Sequence, residues 1–104
     1  MSAVVPEGHN IFVVDLHYLV PFAQIEPLID AHMGFLENHY AQGHFLASGR
    51  KEPRTGGVIL AIATKKSDVE TWIKDDPFHQ AEVASYTITE FVPGMLADCF
   101  SEQK

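Results

Sequence analysis

Two stretches of this chain are apolar at nearly every position: Ile11-Phe12-Val13-Val14-Asp15-Leu16 and Val58-Ile59-Leu60-Ala61-Ile62-Ala63. Successive side chains of a strand point to opposite faces, so a strand that is apolar throughout asks for cover on both sides. A half-exposed surface sheet would alternate apolar and polar residues instead. These two segments therefore need cover on both faces, from the rest of the chain on one and from a partner on the other.

The segments between them set the layers. Asn10 to Tyr18 reads as a first strand, rich in β-branched and aromatic residues and ended by Pro21. Gln24 to Gln42 reads as one long helix, with Ile25, Leu28, Ile29, Phe35 and Leu36 at helical spacing and Gly43 at its stop. His44 to Gly49 reads as a second strand, Lys51 to Gly57 as a hairpin connection and Val58 to Ala63 as a third strand. Ser67-Asp68-Val69-Glu70 has the pattern of a capping box and opens a helix to about Lys74. Asp76-Pro77 starts a short helix to about Val83, with Asp as the cap and Pro in its first turn. Tyr86 to Val92 is the fourth strand, ended by Pro93-Gly94.

The order is βαββαβ in an α+β chain. Right-handed crossovers then give a ferredoxin-like fold, a four-stranded antiparallel sheet with both helices on one face. It is expected as one domain over residues 1–104, with a core of about 10–93, a loose lead-in over 1–9 and a short tail over 94–104. The helices cover one face only, so the apolar residues on the other imply a homodimer with sheets facing one another.

Charge narrows the partners. Seven Lys and Arg against fourteen Asp and Glu leave a formal charge of -7, which argues against nucleic acid. Arg50, Lys51 and Arg54 form the main basic cluster and read as solvated loop charges able to hold a small anion. The longest apolar stretch falls well short of a membrane span, and no leader pattern is seen at the N-terminus. With Cys99 as the sole cysteine, a reducing, cytoplasmic setting is expected. The six histidines show no close ligand pair, and Gly56-Gly57 sits in a hairpin with no helix behind it, so neither metal nor phosphate cofactor is expected.

His32 is the polar residue that least fits its place. At about 100° per residue it falls near the centre of the long helix's apolar face, with His39 one heptad further on. A titratable ring there is either a core histidine satisfied by a hydrogen bond or a general acid-base. Asp76 is the partner best suited to it, although a helix start asks for an Asp there in any case. Asp75 reads as a solvated neighbour, His39 as structural, and Trp72 and Phe78 as core.

Taken together, His32-x-x-Phe35-Leu36, Gly43-x-x-Leu46-x-Ser48-Gly49, Pro53-Arg54-x-Gly56-Gly57 and Asp76-Pro77-Phe78 resemble the YCII-related family from roughly Phe12 to Val92. The resemblance implies a ferredoxin-like fold of the dimeric α+β barrel type. It also implies a catalytic pair at His32 and Asp76. Beside that pair, Ser48, Arg50 and Phe78 are expected to bind a small-molecule substrate, Ser48 and Arg50 by holding an oxyanion or carboxylate. One relative in chloroaromatic degradation eliminates chloride from a hydroxylated chloroquinol-type ring, and muconolactone isomerases share the wider fold. The implied activity is cofactor-free proton transfer of the lyase, isomerase or dehydrochlorinase kind; a non-catalytic binding module is the alternative. Two departures change the charge of the pocket: Ile29 stands where many members carry arginine, and Arg50 where many carry proline.

Overall fold

The computed structural model describes residues 4–101. Its strands are β1 (Asn10–Tyr18), β2 (Phe45–Arg50), β3 (Gly56–Ala63) and β4 (Ala84–Phe91). Its helices are α1 (Phe22–Ile25), α2 (Ile29–Ala41), α3 (Lys66–Ile73) and α4 (Pro77–Gln80). The sheet is antiparallel in the order β2-β3-β1-β4, so the two apolar strands lie at its centre. Among the described residues, no helix is long and apolar enough to cross a membrane.

Register decides which residues the helices cover. Phe12 pairs with Ala61, Val14 with Ile59 and with Ile88, and Leu16 with Tyr86. Phe12, Val14, Leu16, Ile59 and Ala61 are buried together with Ile25, Phe35, Leu36, Val69 and Ile73 from the helical layer. The opposite face is not wholly bare. Val5 from the lead-in and Leu96 from the tail pack with Ile11 and Ile62, which leaves Val13 and Leu60 half-buried between them. The N- and C-terminal ends of the expected loose segments, residues 1–3 and 102–104, lie outside the described residues.

Three local expectations are corrected. The helix expected from Gln24 to Gln42 is broken: a 3₁₀ turn at Glu26–Leu28 separates α1 from α2. Pro27 has no N–H to offer the backbone ladder, so apolar spacing runs across a point where the α-helix cannot. The capping box is absent. The α3 cap is Lys65, without a side-chain hydrogen bond, and Ser67 lies inside the helix, its carbonyl accepting from the Thr71 hydroxyl. The last helix stops at Gln80, and β4 begins at Ala84 rather than Tyr86.

The end of α2 follows its sequence signal. Gly43 takes φ 80°, a left-handed conformation that glycine adopts without steric cost. Its N–H bonds to Tyr40 O at 3.0 Å and the His44 N–H to His39 O at 2.9 Å, the paired bonds of a Schellman cap. That closure turns the chain back along α2 and sets His44 beside His39.

Candidate active site

Asp76 is the fixed point of the site. It stands in an extended conformation at the corner between α3 and α4, fully buried, with Pro77 opening the short helix. Its Oδ1 accepts from the Phe78 N–H at 3.0 Å and from His32 Nδ1 at 2.8 Å. Its Oδ2 accepts from the Tyr86 hydroxyl at 2.7 Å. Three polar groups thus converge on its two oxygens. Burial pushes the Tyr86 phenol proton affinity upward, the Asp76 charge adds to this, and their hydrogen bond adds further. Tyr86 is therefore a standing donor.

His32 comes to this carboxylate from the end of the first turn of α2. Its ring lies flat on that of Phe78, with centroids 4.1 Å apart and planes 7° from parallel. Only 15% of its side chain is exposed. A carboxylate accepts and cannot donate, so Nδ1 carries the hydrogen, and in the neutral ring Nε2 is left with its lone pair. Among the described residues no hydrogen bond reaches Nε2.

The ring also lines a cavity of about 230 Å³ between the helices and the sheet. Leu16, Ile29, Leu36, Ile59 and Phe78 supply apolar wall; Ser48, Arg50 and Arg54 supply polar groups. A bulge delivers Ser48 to it. Phe45 pairs with Ala61 but Ala47 already pairs with Leu60, so Leu46 is the extra residue and Ser48 faces Ile59 on the cavity side. Without that extra residue, simple alternation would turn Ser48 to the opposite face. The Ser48 hydroxyl shares a 2.8 Å hydrogen bond with Tyr40. The Arg54 guanidinium sits 4.4 Å above the Phe22 ring of α1. Among the described residues neither arginine is paired with a carboxylate.

A second histidine cluster lies one heptad along α2. His39 is 2% exposed, more deeply buried than His32. Its Nε2 donates to Asp75 Oδ2 at 3.2 Å, and its Nδ1 lies 2.9 Å from His44 Nδ1. His44 stacks on Trp72 at 3.7 Å. Asp75 is exposed, as expected of a solvated neighbour, and its carboxylate also holds His39. The core reading of His39 agrees with its burial. Among the described residues no three His, Cys, Asp or Glu side chains converge as a metal site would require.

The structure thus brings His32, Ser48, Arg50 and Phe78 to the wall of one cavity, with Phe78 also a core residue, and sets the buried Asp76 behind His32. Sequence reasoning missed Tyr86 and took Arg54 for a solvated loop charge within the basic cluster. The alternation of Tyr86 with Ile88 along β4 places both toward the helices, which is the one available signal for Tyr86.

The profile of the YCII-related domain matches residues 11–92. Among solved structures, 5-chloro-2-hydroxyhydroquinone dehydrochlorinase from Burkholderia phenoliruptrix AC1100, in complex with 2,5-dihydroxybenzoquinone, superposes with a TM-score of 0.69. The alignment covers 81% of this chain and 95% of that one at 18% identity, a likeness of fold. No curated protein sequence matches the chain.

Proposed function

The chain belongs to the YCII-related family, and from that membership we propose that it is a small cofactor-free enzyme in which His32 moves a proton within a small organic substrate. The observation that carries this reading is the 2.8 Å bond from His32 Nδ1 to Asp76, which leaves Nε2 as the basic nitrogen of a ring that lines the cavity. Asp76 orients the ring and balances the imidazolium that forms. Nε2 takes a proton from an acidic C–H or O–H. The electron pair left behind either expels a leaving group such as chloride or shifts a double bond, in which case the imidazolium returns the proton. The Ser48 hydroxyl and the Arg50 guanidinium suit the oxyanion that develops. Phe78 holds the His32 ring flat and closes the wall behind it.

The substrate class follows from the cavity and from the neighbour. An apolar slot of about 230 Å³ with cationic groups suits a compact aromatic or quinol-type anion. The similar Burkholderia structure holds a dihydroxybenzoquinone. The test is turnover of a chlorinated hydroxyhydroquinone, followed by chloride release, with wild type, His32→Ala and Arg50→Ala. His32→Ala should lose about 10² to 10⁴-fold in rate, and Arg50→Ala should mainly raise KM. Equal turnover by His32→Ala and wild type would end the proposal.

Ile29 favours a second reading. It lines the cavity, at a position where the family resemblance implies an arginine, so the wall here lacks that charge. A non-catalytic module holding a small molecule in the same slot would bind 2,5-dihydroxybenzoquinone equally well with or without His32, and would turn nothing over.

A further inference from the structure

We propose that Tyr86 is a positioning residue of this site: its hydroxyl fixes the buried Asp76 and sets how tightly the His32–Asp76 pair holds a proton. The link to rate rests on the catalytic reading above; the effect on the pair itself is measurable without any substrate.

The two oxygens of Asp76 are unequally supplied. Oδ1 has two donors, Phe78 N at 3.0 Å and His32 Nδ1 at 2.8 Å. Oδ2 has one, the Tyr86 hydroxyl at 2.7 Å. In a carboxylate with no exposed surface, water cannot take over if that donor is lost. Tyr86 is also held by a rigid element, since it lies within β4 and pairs with Leu16 of the central strand. It cannot drift with a loop.

The direction of the effect follows from charge. With His32 neutral, the pair carries the full negative charge of Asp76; with a proton added it is neutral overall. A donor to Oδ2 stabilises the first state more than the second. Removing the donor therefore favours proton uptake. The other groups around the pair do not replace it. Arg50 and Arg54 line the cavity, while Asp75 is occupied by His39. Tyr18 meets the Phe78 ring edge-on, and the His79 ring lies 5.5 Å from that of Tyr86. Glu70 and Lys74 line the cleft on the outer side of Tyr86.

The test compares wild type with Tyr86→Phe, which keeps the ring and deletes the donor. The His32 ring proton is assigned by its disappearance in His32→Gln and followed by NMR across pH. Its titration midpoint should rise in Tyr86→Phe by about one pH unit, near tenfold in proton affinity. A second protein carrying 3-fluorotyrosine at position 86 alone has a stronger donor and should shift the midpoint down. Opposite shifts in the two proteins are not what a packing role gives. Coincident midpoints in all folded forms overturn the proposal, and the fluorinated protein decides alone should Tyr86→Phe not fold. On a turned-over substrate, the acid limb of the rate profile should move with the midpoint. Absence of turnover counts against the catalytic reading and leaves the midpoints to judge Tyr86.

Discussion

His39 and His44 meet Nδ1 to Nδ1 at 2.9 Å, so one of these nitrogens must carry a hydrogen and the other must not. Asp75 draws the His39 hydrogen to Nε2, which makes His44 the donor across the gap. One further proton fits on His44 without breaking a bond. A second would put hydrogens on both facing nitrogens, and the clasp between α2 and β2 would have to open.

That clasp predicts an acid-sensitive stability. Burial holds His44 below its ordinary value of 6.5, His39 lowers it further, and Asp68 partly opposes them. A base whose folded value is depressed leaves the fold fully stable above 6.5. As pH falls below that point the unfolded chain takes up the proton and the folded one resists, so stability declines toward the folded value. Thermal midpoints should therefore drop between neutral and mildly acid pH, and the drop should shrink in His44→Gln. Parallel pH profiles in the two proteins would exclude His44 as the source.

Asp76→Ala should cost about 3 kcal/mol of stability, because it removes a cap and leaves buried donors without an acceptor. Those donors are the Phe78 N–H, His32 Nδ1 and the Tyr86 hydroxyl. Asp76→Asn should cost less, since its carbonyl oxygen can still cap Phe78. Urea unfolding of the three proteins measures both differences. A loss in Asp76→Ala below that of an ordinary surface substitution would show that the network contributes little.

His32 was legible in the sequence because it interrupts an apolar stripe, and Asp76 because Asp before Pro marks a helix start, although that signal speaks for the cap and not for the pair. Tyr86 breaks no pattern. Strand alternation tells which face it occupies and nothing of the carboxylate it meets, which comes from 10 residues away across the α4 turn. Ser48 depended on the extra residue at Leu46, and bulges of this kind leave no composition signal. Pro27 was visible, but the spacing of Ile25, Leu28 and Ile29 carried the helical period straight across it. Local rules spoke for a helix at those apolar residues, and one missing N–H outweighed them.

Gly56→Ala should disrupt the pairing of the two central strands where β3 begins. A Cβ at this position would run into the backbone carbonyl of Leu16, and neither strand can retreat without losing its pairing. Gly57 is more tolerant, its Cβ approaching Gly49 O at 3.0 Å. Gly56→Ala should therefore be destabilised by about 2 kcal/mol or more in urea unfolding, and by more than Gly57→Ala. The reverse ranking would contradict the packing of β3 against β1.

The expected homodimer depends on how much open sheet remains after Val5 and Leu96 have covered Ile11 and Ile62. Four strands about 4.8 Å apart, each about eight residues long, offer roughly 500 Å² of flat face. Val5 and Leu96 take part of that face, against about 800 Å² per partner in an interface of standard size. Val13 and Leu60 are neighbours by register in the middle of that face and half-buried within one chain. A second copy would complete their burial, and a charge between them would forbid it. Sedimentation at micromolar concentration should give twice the chain mass for wild type and a single chain for Leu60→Glu. The His32–Asp76 pair lies behind the sheet, so its titration should be the same in both proteins. A wild-type mass of one chain would rule the dimer out.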